Sequence, residues 1–465
     1  MNKQNVGAEL VILGTALAGL RIDNLPAEVL QRSKQRVLDT LGCLVAGYDA
    51  GIADGIRDYV LAQGGAAQAT LLPGGQQTTV ALAGLAHATY IHGLEWSDAA
   101  PRGTVHPGNE IVPVVLALAE RHGLGGAAML PALVAGYEAE IRFGRSVFPS
   151  AFYRGWWTPG IFGAIGPAVT AAHMMGLGGA GIDNTLGIVL NMLPSAMICA
   201  NEEGESVKWL IGGQACASGL LAAEMAARGT KGMRDVAGGW LPVIADKHDA
   251  ALLTEGINAS GQFEQWEILS GVLTKFYATV GPLTASLDAA FVLIAQHDIK
   301  PTDIAEIHLD VPRRTAVFNT VHPENEIAAR ASLPFCMAVA VNTRDPSKLL
   351  GPAFRPEFLN DPAIRAIASK VRITENEDYE KQYPARSLAY VTFKMKDGKT
   401  HAMEDDRNAH GRYLKPTDHD IEDKFRRVAS PILGAAKAER VVDIVSRLET
   451  VTDVSELVSN LRPGA

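Results

Sequence analysis

Residues 300–312 read KPTDIAEIHLDVP, and the apolar side chains at Ile307, Leu309 and Val311 alternate with polar ones in the pattern of a half-buried strand. The stretch decides the fold because almost nothing before it reads that way. A second alternating stretch, ARSLAYVTFKMKDGKTHAMED at 385–405, carries β-branched and aromatic residues and an Asp397-Gly398 pair able to close a hairpin. Helical periodicity returns between the two in IAARASLPFCMAVAVNTRD at 327–345. The mixture predicts a compact α+β unit over residues 269–405.

Upstream the chain is helix after helix. NEIVPVVLALAERHG (109–123), AMLPALVAGYEAEIRFGRSV (128–147), AIGPAVTAAHMMGLGG (164–179) and GQACASGLLAAEMAARG (213–229) are rich in Ala, Gly, Leu and Met, with GG, PG and GL breaks between them. Short side chains let helix backbones approach closely, so a bundle buried on more than one face of each helix is expected. LLPGGQQTT (71–79) and GLGGAGID (176–183) read as helix-to-helix turns, since neither has the strand and helix context of a phosphate-binding loop. A nucleophile elbow of the GxSxG kind is absent. DIEDKFRRVASPILGAAKAERVVDIVSRLETV (420–451) is helical again, and either caps the α+β unit or returns to the first bundle. The class is mainly α.

A chain of 465 residues, 47% of them hydrophobic, is too long for one simple core and predicts two domains. Its 51 acidic residues outnumber 42 basic ones for a net charge of −9, with no Lys/Arg-rich block. That balance excludes nucleic acid and anionic membranes as partners. Cys43, Cys199, Cys216 and Cys336 are far apart and form no CxxC or Cys/His cluster, so neither a zinc site nor a disulfide framework is expected, and a reducing cytoplasm fits. LVILGTALAGL (10–20) follows a single Lys offset by Glu9 and runs on into a region of amphipathic spacing, which makes it a first core helix rather than a signal peptide. No stretch holds the roughly eighteen uninterrupted apolar residues of a membrane span.

Against this apolar background a few charged residues stand out. HGLEWSDAAPRGTVHPG (92–108) places Asp98 and His106 at either side of a loop bearing Arg102, with Pro101 and Gly103 setting its bends and HPGNEIVPVV opening the next helix. Asp98 either tethers the loop while His106 bonds to backbone, or both serve chemistry. Lys208, within EGESVKWLIGGQA (203–215), either snorkels out of its helix or serves a site. Lys275 and Tyr277, within LTKFYATVGPLTASLDAA (273–290), lie where the texture shifts, and pockets form at domain boundaries.

Six segments in order resemble the MmgE/PrpD family: RVLDTLGCLVAG (36–47), HGLEWSDAAPRGTVHPG, GYEAEIRFGRSV (136–147), WWTPGIFGAIGPAVTAAHMMGL (156–177), VKWLIGGQACASGLLAAEMAARGTKG (207–232) and IAARASLPFCMAVAV (327–341). The resemblance covers nearly the whole chain. It implies a large all-helical domain made of residues 1–268 and 406–465, with a smaller α+β lid domain, residues 269–405, inserted before the C-terminal helices. It further implies a site between the two, free of metal and organic cofactor, that acts on di- and tricarboxylates next to a carboxylate. His106 matches the family's loop histidine, Asp98 the last carboxylate of its D-F-D-D run, Lys208 its helix lysine and Lys275 the lysine at the start of the lid. Glu95, Ser97, Ala99, Trp157, Ile211 and Thr284 depart from the pattern, and three imidazoles are lost among them.

Those losses bear on the reaction. Eliminating water needs a base and a separate acid for the departing hydroxyl, whereas epimerisation needs only cations for carboxylates and two groups that exchange a proton on opposite faces of one carbon. The resemblance therefore implies a cofactor-independent epimerase of a polycarboxylate such as iminodisuccinate, which one family member interconverts. A dehydratase of 2-methylcitrate-type hydroxy acids and a non-catalytic binding relative are the alternatives. In the expected site His106 is the base oriented by Asp98, Lys275 or Tyr277 the donor opposite, and Lys208 and Arg102 the binders of carboxylates, with Glu95 and Trp157 completing the wall. A small-molecule polycarboxylate and a second copy of the chain, in a homodimer, are the expected partners.

Overall fold

The computed structural model describes residues 7–51, 54–198 and 204–463; Cys199 lies outside them. Helix accounts for 61% of the chain and strand for 9%, so the class is mainly α with a smaller α+β region. The apolar segment after the N-terminus forms a core helix, Ala8–Ala18, burying Leu10, Leu13 and Leu17. A turn at Ile22–Asn24 and Pro26 separates it from the long helix Ala27–Asp49.

At the centre of the bundle lies Val207–Ala227, hereafter the lysine helix, packed between Val80–Gly93 and Ile165–Met174. Glycine permits the approach. A Cβ at Gly219 would stand 2.5 Å from the Ala164 carbonyl oxygen, and one at Gly213 would collide with the Leu85 carbonyl on the other side. By length and composition this helix is also apolar enough to cross a membrane, but it packs on neighbouring helices and half of its apolar window is buried inside the protein. LLPGGQQTT is not a helix-to-helix turn: it spans a short hairpin in which Ala69–Leu71 pairs antiparallel with Gln76–Thr78, so the helical part is not purely helical.

The second region holds a four-stranded sheet in the order Val371–Glu375, Ile304–Val311, Leu388–Met395, Thr400–Asp406. The first pair is parallel and the others antiparallel, with Leu388 opposite Asp406. Asp397-Gly398 closes the predicted hairpin, Gly398 taking φ 89°. Helices Thr284–His297 and Leu333–Thr343 cover the sheet. This topology brings the C-terminal ends of Ile304–Val311 and Thr400–Asp406 to the same end of the sheet as the start of Leu388–Met395.

After the sheet the chain returns to the bundle. Helix Asp418–Leu433 starts at a Thr417 capping box and packs on Ala27–Asp49. The two are joined by a buried ion pair, Lys424 to Asp39, at 2.6 Å. Lys34 reaches the Ser446 carbonyl at 2.7 Å, and the Gly126 amide donates to the Val451 carbonyl at 2.9 Å.

Candidate functional site

The loop between helices Val80–Gly93 and Pro107–His122 is closed on itself and on the chain at 273. The Ala100 amide donates to the Val105 carbonyl at 2.8 Å, while Ala99 and Leu273 exchange backbone hydrogen bonds at 3.0 and 2.8 Å. That second pairing carries Lys275 to the loop. Glu95, at φ 54°, takes the left-handed conformation that non-glycine residues avoid at a cost of about 1–3 kcal/mol. What holds it there is charge. Lys208 donates to one oxygen of its carboxylate, and Lys275 donates to the other at 3.3 Å and to the Glu95 backbone carbonyl at 3.1 Å. All three side chains are buried.

Burial alone would raise the Glu95 pKa, but Lys208 and Lys275 outweigh it and hold the carboxyl well below its usual range. The Lys208 ammonium is pushed down by burial, against the pull of Glu95, and lies 5.6 Å from the centre of the Trp157 ring. Trp157 is buried, and its indole N–H has no acceptor among the described residues.

His106 caps the start of the next helix from the loop's far end. Its Nδ1 lies 2.8 Å from the Asp98 carbonyl oxygen, which can only accept, so Nδ1 carries the hydrogen and the Nε2 lone pair is free. Burial, then the Lys275 charge, push the imidazole down to about 3. The Asp98 carboxylate does something else. One oxygen accepts from the Gly108 amide at 3.0 Å and the other from the Tyr137 hydroxyl at 2.7 Å, pinning the loop to the helix start. Asp98 thus orients His106 through its main-chain carbonyl, while its carboxylate tethers the loop.

Glu95, His106 and Trp157 line one cleft of about 830 Å³, its open mouth included; Lys208 and Lys275 do not line it and stand behind the Glu95 carboxylate that they bind. Its other wall is the sheet end described above, which supplies Pro312, Arg314, Thr315, Ser387 and Arg407, with Tyr383 beside them. Arg314 donates to Glu380 at 3.2 and 3.3 Å and stacks on the Tyr383 ring at 3.6 Å. The Tyr153 hydroxyl donates to the same carboxylate at 2.5 Å, tying the bundle to the sheet region.

Two site expectations are corrected. Tyr277 donates its hydroxyl to Asp288 at 2.7 Å and stacks on Phe291, because the chain bends at 276–279 and carries the ring away from Lys275. Arg102 is half-exposed at the loop tip and does not line the cleft; its charge is felt by Glu255. The guanidinium groups that do line it, Arg314 and Arg407, escaped the sequence reading, as did His92, whose ring centre lies 6.0 Å from that of His106. Their signal was topological, since each arginine follows the C-terminal end of a strand that terminates at the cleft. Among the described residues Asp288, Asp405 and His410 bring ligand atoms within 4.8 Å of one another. The Asp288 oxygens already accept from Tyr277, Tyr413 and Arg412, which leaves a metal ion little room to bind.

Comparison with known proteins gives a consistent result. The model of the MmgE/PrpD N-terminal domain matches residues 12–252 and that of the MmgE/PrpD C-terminal domain residues 277–450. Human cis-aconitate decarboxylase is 27% identical over 96% of this chain and 93% of its own length. The Aspergillus terreus cis-aconitate decarboxylase is 22% identical, covering 96% and 94%, and the mouse enzyme 24%, covering 96% and 91%.

Proposed function

The chain belongs to the MmgE/PrpD family, and from that premise we propose that it is a cofactor-independent epimerase of a polycarboxylate such as iminodisuccinate. The reaction removes and returns the proton on the carbon α to a carboxylate. One observation carries the reading: His106, a neutral imidazole with its Nε2 unprotonated, lines the same cleft as Glu95, whose carboxylate binds two buried ammonium groups.

His106 takes the α-proton. An imidazole pushed down to about 3 is a weak base in the empty cleft, and a bound carboxylate beside it raises its proton affinity by stabilising the imidazolium. The electron pair left on carbon delocalises into the adjacent carboxylate, and Lys208 and Lys275 stabilise the enediolate where that charge develops. Glu95, which lines the cleft, returns a proton on the opposite face, and Lys208, whose ammonium is made more acidic by burial, resupplies it through the carboxylate to which it donates. Trp157 fills the place of a family histidine, so the cleft lacks that second acid for a departing hydroxyl, which favours epimerisation over dehydration.

A second reading has its own support, for the curated relatives are named cis-aconitate decarboxylases. Loss of carbon dioxide would leave a related carbanion, protonated by the same pair of Glu95 and Lys208. Incubation in D₂O with one stereoisomer of iminodisuccinate, and separately with cis-aconitate, followed by proton NMR and mass spectrometry, separates them. Epimerisation gives α-deuterium and new stereoisomers with the skeleton intact. Carbon dioxide release, or a mass lower by one water, removes the epimerase.

A further inference from the structure

We infer that Arg407 is a specificity-determining residue that takes a second carboxylate of the substrate, so that the cleft selects molecules bearing two carboxylates across a short apolar span. The inference rests on the cleft being the substrate site, as proposed above.

The argument is one of charge. At the loop end Glu95 stands between Lys208 and Lys275, which leaves one positive charge over and suits one substrate carboxylate. On the facing wall Arg314 is already paired with Glu380. Arg407 is different. Its side chain lines the cleft with 3% of the residue exposed, and no carboxylate lies within ion-pairing distance of it among the described residues. Its bonds go to neutral oxygens, the Gly281 carbonyl at 3.4 Å, the Asn408 side-chain oxygen at 3.3 and 3.1 Å and the Tyr383 hydroxyl. The neighbouring Asp406 carboxylate is engaged elsewhere, by the amides of Ser387 and Asn408 and by Arg386 at 2.9 Å.

A buried guanidinium without a counter-ion is costly, and burial accordingly pushes its pKa down. Its five donors lie in a rigid fork, and the bonds to Asn408, Gly281 and Tyr383 are all to neutral oxygens, so its charge goes unmatched. A carboxylate supplies what is missing: a negative charge and two acceptors in the matching plane. Apart from these charged groups the lining is largely apolar, with Ala99, Val105, Leu273, Val280 and Phe318 among its residues. An apolar link between two carboxylates is the complementary shape.

Succinate and butyrate share a four-carbon chain and differ by one carboxylate, and calorimetric titration of the full-length protein with each tests the assignment. The wild type is expected to prefer succinate by about tenfold or more, the value of one charge-assisted bidentate contact. In Arg407→Gln that preference collapses while butyrate binding stays within about twofold, and Arg407→Lys, a point charge without the fork, falls between. A wild type that binds the two equally or binds neither, or an Arg407→Gln that keeps the preference, overturns the assignment. Should Arg407→Gln fail to fold, as judged by its melting profile, Arg407→Lys decides by the same comparison. The preference persisting in a protein silent in the D₂O exchange experiment sinks the epimerase reading and leaves Arg407 in place. Exchange without the preference does the reverse.

Discussion

Glu95 is the residue on which the site depends, because its backbone is strained and its carboxylate separates two buried ammonium groups. Glu95→Gln leaves Lys208 and Lys275 facing each other without a counter-ion, and at pH 7 urea unfolding should show a loss of about 3–5 kcal/mol. The sign follows from the depressed pKa. The contribution of Glu95 is present above its unfolded value of 4.5 and lost as pH falls below it, so the gap between variant and wild type should narrow below pH 4.5. His106→Ala should cut α-proton exchange about 10²–10⁴-fold. Because the free imidazole stays neutral down to about 3, the acid limb of kcat/KM in the wild type should lie well below 6.5, and a limb near 6.5 would assign the base elsewhere. Tyr277→Phe should keep turnover within about threefold and cost about 1 kcal/mol of stability, since it removes only the bond to Asp288.

At the scale of elements, the lysine helix sets where Lys208 stands, and its glycines set the helix. Gly219→Ala drives a methyl group against the Ala164 carbonyl, which should cost about 1–3 kcal/mol in unfolding and raise KM by displacing Lys208. The elements also show what could be read in advance. Asp397-Gly398 marked its hairpin because a left-handed turn needs such a pair, whereas strands of three residues at 69–71 and 76–78 are too short for alternation to register. Lys208, Lys275 and Glu95 were legible as charges where the surroundings were apolar. Arg314 and Arg407 lie in VPRRT and EDDRN, which read as solvated turns, and only the strand order brings them to one cleft. Tyr277 misled because it shares one boundary segment with Lys275, and the chain bends at 276–279 and turns its hydroxyl onto Asp288 instead.

At the scale of the molecule, the C-terminal helices reach back to the site loop. Lys424 pairs with Asp39 and also donates to the Trp96 carbonyl at 2.8 Å, one residue beyond Glu95. Lys424→Met strands a buried carboxylate and releases the loop, so it should lower both stability, by about 3–5 kcal/mol, and the exchange rate, although Lys424 does not line the cleft. Chemical denaturation and the D₂O assay, run side by side, check the pairing of the two losses.

The left-handed Glu95 has a consequence for biosynthesis. Its counter-charges lie 113 and 180 positions further along the chain, and the carbonyl of its neighbour Trp96 is bound by a lysine 328 positions away. During translation the loop therefore leaves the ribosome long before the groups that fix it. The N-terminal helices can gather around their apolar faces while this segment stays open, and the reactive centre closes only after Lys424 has emerged. An interrupted nascent chain accordingly carries a bundle without chemistry, and the appearance of activity marks the end of folding.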